Sequence, residues 1–262
     1  MTIRVDAVLG SRNQWGDKIA TLIAYYPRFI HAELMTHKDL SRNASSSRAI
    51  PFRTMLKMVR RDMAKPVYWG KNQPGMSASE ELTGFGRWFA KFMWTFTGHI
   101  VLTLAWLMSF SKVHKQIINR MIEPWSHINV QITATNYERM LGLRLDLAAQ
   151  PEFQELARAI KDALGRLHYE PLNPGQWHLP WIMEDEQHLD LEVRKRLSAA
   201  RSARLSYTPI GEPKRNVDKD LLLAADLFKQ LHLSPFEHQA TPYHGRHANL
   251  QGWRSFRTDL GY

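Results

Sequence analysis

The chain has 262 residues, enough to bury a substantial core, and its 44% hydrophobic and 23% charged residues exclude a disordered chain. Thirty-five Lys and Arg against 25 Asp and Glu leave a net charge of +10, which favours anionic partners: nucleotides, nucleic acid or a membrane surface. The absence of cysteine excludes disulfides, thiolate metal sites and any reaction that attacks its substrate through a Cys sulfur.

Residues 2–9 alternate apolar Ile3, Val5, Ala7 and Leu9 with polar Arg4 and Asp6, which predicts a strand. Residues 18–24, with Ile19, Leu22 and Ile23, predict its partner across a turn over 10–16. A helix is expected over 27–38, delivering His37 and Lys38 beside a Ser-rich loop, and a second over 51–63 with Pro51 in its first turn and Met55, Met58 and Val59 inward. Residues 65–75 read as a Pro/Gly/Trp loop, after which Ser77 or Ser79 would cap a long helix over 79–110. Within that helix, the nineteen residues 92–110 carry no Asp, Glu, Lys or Arg. Such a run is close to the ~20 residues that cross a bilayer. Thr95, Thr97, Gly98, His99, Thr103 and Ser109 interrupt it and favour a helix buried in the core or at a subunit interface over a membrane span.

Further helices are predicted over 113–120, 136–143, 151–167, 190–207 and 218–231. The clearest is 151–167, where Phe153, Leu156, Ile160, Ala163 and Leu164 recur at helical spacing. The β-branched stretch 128–135 reads as a strand, residues 172–181 as a loop, and the His-, Gly- and Arg-rich tail from Thr241 as a segment that frays in part. No internal repeat is present, and one domain over 1–262 is expected. The N-terminus lacks the long apolar core of a signal peptide, so a cytoplasmic protein is expected.

Four blocks carry chemistry. Residues 33–51, ELMTHKDLSRNASSSRAIP, concentrate one His, one Lys, two Arg and four Ser. Short hydroxyls beside a guanidinium suit a phosphate, and Ser46, Ser47 and Arg48 supply both, although composition alone fits a solvated loop equally well. The second block places Arg120 at a basic helix end, four residues before Pro124. The third, TATNYERMLGLRLDLAAQPE over 133–152, holds Arg139 and Arg144; by spacing alone Arg144 reads as a surface partner of Asp146 or Glu138. The fourth comprises ARLSY at 203–207 and HLSPFEH at 232–238. His232, Glu237 and His238 invite a metal reading, but Pro235 breaks the helical geometry that a paired-His zinc site uses, and no metal is expected.

Together these blocks resemble the flavin-dependent thymidylate synthases. That family's signature, Arg-His-Arg, seven residues, then Ser-x-Arg, stands here as Thr36-His37-Lys38, seven residues, then Ser46-Ser47-Arg48. The third block is similar to the family's helix ending in Leu-Arg, followed five positions on by Ala-Gln-x-Glu. The two segments of the fourth block, which the family carries near its N-terminus, come last here, an order that resembles a circular permutation. The resemblance implies an α+β fold, an antiparallel sheet flanked by helices, in a homotetramer whose active sites lie between subunits. It implies transfer of a one-carbon unit from methylenetetrahydrofolate to C5 of a pyrimidine deoxynucleotide monophosphate, dUMP to dTMP, with FAD as hydride carrier and NADPH as reductant. The alternative C5 route through a Cys nucleophile is closed to this chain.

By the same resemblance, Glu33, Ser46, Ser47, Arg48 and Arg120 meet the nucleotide, and Arg144 is the catalytic group that polarises the base. Thr36, His37, Lys38, Asp39, Thr133, Arg139, His232 and Ser234 surround the flavin and folate. Thr36, Lys38, Ala44, Ala49 and Arg139 stand where the family has Arg, Arg, an acidic residue, Tyr and Asn. Those departures keep open a relative that acts on dCMP or makes a 5-hydroxymethyl nucleotide, and one that binds nucleotide or nucleic acid without catalysis. Neither a membrane nor nucleic acid is the expected partner.

Overall fold

The computed structural model describes residues 2–206 and 216–262. Strands β1 (Arg4–Asn13) and β2 (Lys18–Pro27) form an antiparallel hairpin. β1 runs through Gly10, which the sequence assigns to the turn. The turn is residues 14–17 instead: Asn13 Oδ1 accepts the N–H groups of Trp15 and Asp17, and Gly16 takes φ +91°. A bulge between Ala7 and Leu9 shifts the register, so the alternation of residues 2–9 does not continue to the strand's end.

The helix expected over 27–38 does not form. Pro27 still pairs with His127 in the sheet, and only a 3₁₀ turn (Arg28–Ile30) and the single-turn helix α1 (His31–Leu34) follow. The Thr36 hydroxyl donates to the Glu33 carbonyl and closes that turn. The chain then enters β3 (Ser41–Ala44), a strand concealed in the Ser-rich stretch. Helix α2 (Phe52–Arg61) buries Met55, Leu56 and Val59, with Met58 only half-buried.

Helix α3 (Gly84–Ser109) starts later than predicted, because residues 80–82 pair with the backbone of 69–71 instead: Lys71 N–H to the Glu80 carbonyl and Leu82 N–H to the Trp69 carbonyl. Its burial also departs from the expected core helix. Gly98, Leu102 and Ala105 are buried, on the side that meets α2 and α4 (Lys115–Ile122), while Phe85, Trp88, Phe89, Phe92 and Phe96 are exposed and stack on one another.

Strand β4 (His127–Ala134) is buried along its whole length. It is followed by α5 (Glu138–Arg144), α6 (Pro151–Arg166) and β5 (Glu170–Leu172). The sheet order is β3-β4-β2-β1-β5, antiparallel except where β1 meets β5, a parallel edge that departs from the all-antiparallel expectation. Phe153, Leu156, Ile160 and Ala163 of α6 pack on Leu22, Ala24, Val130 and Ile132 of the two central strands, the main core.

Helix α7 (Leu191–Ala203) passes into a 3₁₀ turn (Arg204–Ser206), and α8 (Val217–Lys229) follows; Tyr207 lies outside the described residues. The tail does not fray. β6 (Ala240–His247) and β7 (Leu250–Ser255) form a hairpin, followed by the short α9 (Phe256–Asp259). Trp253 is fully buried and its Nε1 donates to the Asp17 carbonyl at 3.3 Å, while Asn13 Nδ2 donates to the Gly252 carbonyl at 2.8 Å. The sequence pattern missed this because the burying surface is the β1–β2 turn, more than two hundred residues away.

Candidate functional site

Two groups of polar side chains lie at opposite ends of β3. The first is delivered by α1, by the C-terminal end of α5 and by the first turn of α6. Arg144 closes α5, and its Nη1 lies 3.0 Å from Glu33 Oε2 while its Nε donates to His37 Nε2 at 2.9 Å. Its guanidinium lies 4.4 Å from the centroid of the Phe153 ring. Arg144 pairs with neither Asp146 nor Glu138; Asp146 Oδ1 accepts the Ala148 N–H, and Glu33 takes the ion pair from 111 positions away.

Burial pushes His37 below the ordinary imidazole range, and the cations of Arg144, Arg42 and Arg139 push it further against the opposing pull of Asp39. The ring is therefore neutral, with the lone pair on Nε2 facing Arg144 and the proton on Nδ1. Glu33 and His37 engage Nη1 and Nε, which fixes the guanidinium plane. Thr36 and Lys38 are exposed on the same turn, and the Thr36 hydroxyl is engaged with Glu33. Asp39 follows, half-buried, with the exposed Arg139 at 3.8 Å.

The second group begins where β3 ends, about 13 Å further along an extended strand of four residues. Ser45 exchanges hydrogen bonds with Asn129, through both its backbone and its hydroxyl. Ser47 is buried and donates its hydroxyl to Glu123. Arg120 Nη1 lies 3.1 Å from the same carboxylate, and Arg28 Nη1 at 4.0 Å. Asn119 Nδ2 donates to the carbonyls of Ser47 and Ile50, and Lys115 Nζ to that of Ala49, so α4 holds the loop by its backbone. Ser47 is thus an anchor of the loop, whereas Arg48 and Arg120 are exposed and Ser46 is half-buried beside them. Burial lowers the Arg28 pKa, opposed by the Glu123 carboxylate.

The far C-terminal block lies against this segment. Ser234 Oγ donates to Asn43 Oδ1 at 3.2 Å, Asn43 Nδ2 donates to the Ser202 carbonyl at 2.6 Å, and Asn249 Nδ2 donates to Ser41 Oγ at 2.9 Å. His232 is exposed just after α8. Thr133 is elsewhere: it is fully buried in β4, with its hydroxyl 2.7 Å from Thr21 Oγ1 and 2.8 Å from His238 Nδ1. Direct contact of Thr133 with a cofactor is therefore corrected to a core role, because β4 is covered on both faces and the hydroxyl is spent on buried partners. The same chain of bonds continues from Thr21 to His178 Nε2 at 2.8 Å and from His178 Nδ1 to Ser11 at 2.9 Å.

Sequence reasoning missed Phe153 as the platform for Arg144, and Glu123 and Arg28 as partners of the Ser-rich loop. Glu123 carried one usable signal, its position three residues after Arg120. Arg28 carried none, since its partners come from the loop at Ser45 and from Ser126.

No family model and no curated protein matches the chain. Among solved structures it is similar to the UMP/dUMP methylase PolB from Streptomyces cacaoi bound with 5-Br UMP, with a TM-score of 0.51 and 13% identity over 63% of this chain and 90% of that one. The same methylase bound with 5-Br dUMP gives a TM-score of 0.48 at 14% identity, over 63% and 91% of the two chains. Thymidylate synthase X from Helicobacter pylori with FAD and dUMP gives 0.40 at 16% identity, over 56% of this chain and 67% of that one. The first match shows a shared α+β fold.

Proposed function

We propose that this chain transfers a one-carbon unit to C5 of a pyrimidine deoxynucleotide monophosphate and converts dUMP to dTMP. The observation that carries the reading is Arg144, a guanidinium fixed by Glu33, His37 and the Phe153 ring, on a fold shared with a UMP/dUMP methylase. In the overall reaction dUMP, methylenetetrahydrofolate, NADPH and a proton become dTMP, tetrahydrofolate and NADP⁺.

The residues fit an anionic cofactor beside this cluster. Lys38, next to His37 in the chain, and Arg139 are exposed, and Asp39 is the acidic group 3.8 Å from Arg139. Lys38, His37, Arg139 and Ser234 would hold FAD, which when bound supplies the hydride exchange. Arg144 supplies fixed positive charge where the N3 side of the pyrimidine gains negative charge, and because its partners orient it beforehand it needs no reorganisation during the reaction. His37 contributes as an acceptor that sets the guanidinium plane, a role that requires it to stay neutral. Ser46, Arg48 and Arg120 would take the nucleotide phosphate at the other end of β3.

Two further parts of the proposal have structural support. A circularly permuted block order agrees with the contacts of the Ser202 carbonyl and the Ser234 hydroxyl with Asn43 of β3. Assembly as a homotetramer agrees with the exposed aromatic face of α3.

The test is a visible absorbance spectrum of the purified protein with added FAD, then with dUMP or dCMP, followed by turnover with the folate and NADPH. A flavin band shifted by dUMP, with dTMP formed, is the expected result. A shift with dCMP alone would reassign the base. Nucleotide binding without flavin retention or turnover would replace the enzyme by a binding protein.

A further inference from the structure

A cavity of about 300 Å³ opens where three distant stretches of chain meet: Asp39 on the approach to β3, Asn136 and Arg139 at the start of α5, and Arg246, Asn249 and Gln251 on the β6–β7 hairpin. The hairpin is fastened in place there. Asn249 Nδ2 reaches Ser41 Oγ at 2.9 Å and the Asp39 carbonyl at 3.4 Å, and the Gln251 N–H donates to Thr135 Oγ1 at 2.9 Å.

Two guanidinium groups address the single carboxylate from different sides. Arg139 Nη1 lies 3.8 Å from Asp39 Oδ2, and Arg246 Nη2 lies 3.6 Å from Oδ1. Neither distance is that of a closed charge-assisted hydrogen bond, which settles at about 2.8 Å. The two side chains are 78% and 64% exposed, so most of their N–H donors face the cavity mouth or solvent. The Arg246 Nε is oriented by the Ala248 carbonyl at 3.2 Å. Two cations against one anion leave net positive charge, and the amide side chains of Asn136 and Gln251 border it. Arg139 is also among the cations that add to the burial-driven lowering of the His37 pKa.

We propose that this cavity is a phosphoryl subsite in which Arg139 and Arg246 together clamp a phosphate group of a bound nucleotide. A tetrahedral anion meets two guanidinium forks at once, which a single carboxylate flanked at 3.6 and 3.8 Å does not. Arg246 belongs to the tail that the sequence leaves as a fraying segment, so the hairpin would contribute ligand contacts as well as packing. The inference deepens the proposed function but does not depend on catalysis, because it needs only a phosphate-bearing ligand. That group can come from a dinucleotide or from the nucleotide monophosphate, and the titration separates the two.

The experiment is calorimetric titration of the full chain and of Arg246→Lys, Arg246→Gln and Arg246→Glu with FAD, ADP and dUMP, with thermal unfolding to confirm that each variant is folded. Loss of a charge-assisted contact predicts affinity for FAD and ADP about tenfold weaker in R246Q and weaker still in R246E, with R246K in between and dUMP unaffected. If dUMP alone responds to Arg246, the phosphoryl subsite stands and holds the substrate's phosphate. Equal affinities of R246E and the parent for every ligand, or no binding of ADP and FAD by the parent with dUMP affinity unchanged in R246E, overturn the subsite. A protein that binds ADP through Arg246 but forms no dTMP overturns the proposed reaction and leaves the subsite intact.

Discussion

At the scale of single residues, the site depends on side chains that fix one another's state. Arg144→Lys keeps the charge but cannot bond Glu33 and His37 with one rigid plane, so turnover is expected to fall by about 100-fold while the thermal midpoint moves little. A variant with full activity would remove Arg144 from the proposed chemistry. A second residue-scale expectation concerns pH. His178 and His238 are fully buried in the Ser11–His178–Thr21–Thr133–His238 chain, and burial pushes both down to about 3, with His238 adding to the shift at His178. Unfolded, each titrates near 6.5. Above that pH both states are neutral and nothing changes; below it the unfolded chain takes up protons that the folded chain refuses, so stability is lost progressively between about pH 6.5 and 3, by about 2 kcal/mol per imidazole at pH 5. Thermal midpoints between pH 7.5 and 4.5 check this; a flat profile would contradict the buried, neutral assignment. Glu33, His37 and Arg144 were all named from the sequence, and they meet in space. The role of Ser47 changes because its hydroxyl donates to Glu123, a partner that no local pattern announces.

At the scale of elements, periodicity was legible where an element is long and buries one face. Helix α6 and strands β2 and β4 are of this kind: α6 repeats apolar residues at helical spacing, and β4 is buried throughout. Short stretches were not legible. Phe29 and Leu34 suggested a helical face, yet Pro27 remains in the sheet and only one helical turn is left. The β6–β7 hairpin depends on Gly252, whose φ of +75° is unfavourable for other residues and whose added Cβ would collide with the Asp17 side chain. Gly252→Ala is therefore expected to cost at least about 1–3 kcal/mol, read from denaturant unfolding. Helix α3 exposes a row of aromatic and aliphatic side chains, on the order of 1,000 Å² at about 100 Å² for each half-exposed residue, more than the few hundred Å² usual for a surface patch. Replacing Phe92 and Phe96 with Glu is expected to lower the oligomeric mass seen by light scattering without unfolding the chain. An unchanged mass would rule out this face as the contact between copies.

At the scale of the whole molecule, the chain's two ends are stitched together: Trp253 and Gly252 of the last hairpin bond the β1–β2 turn, and Asn249 bonds the approach to β3. Deleting residues 240–262 is accordingly expected to cost the cooperative unfolding transition, because it opens the cluster of Ile19, Ala240, Leu250 and Trp253 to water. A truncated chain with an unaltered melting curve would show the hairpin to be dispensable. The sequence by itself determined the chemistry that is absent, through the lack of cysteine, and it determined the long amphipathic helix and the buried strands, because their signals lie within a single window of chain. Only the tertiary structure decided that Arg144 pairs with Glu33 instead of its neighbours, that Thr133 is core, that α3 turns an apolar face outward and that the tail is a packed hairpin. Each of those outcomes depends on the distance between atoms far apart in sequence, or on which face of an element finds another surface to cover it, and neither quantity is contained in local spacing.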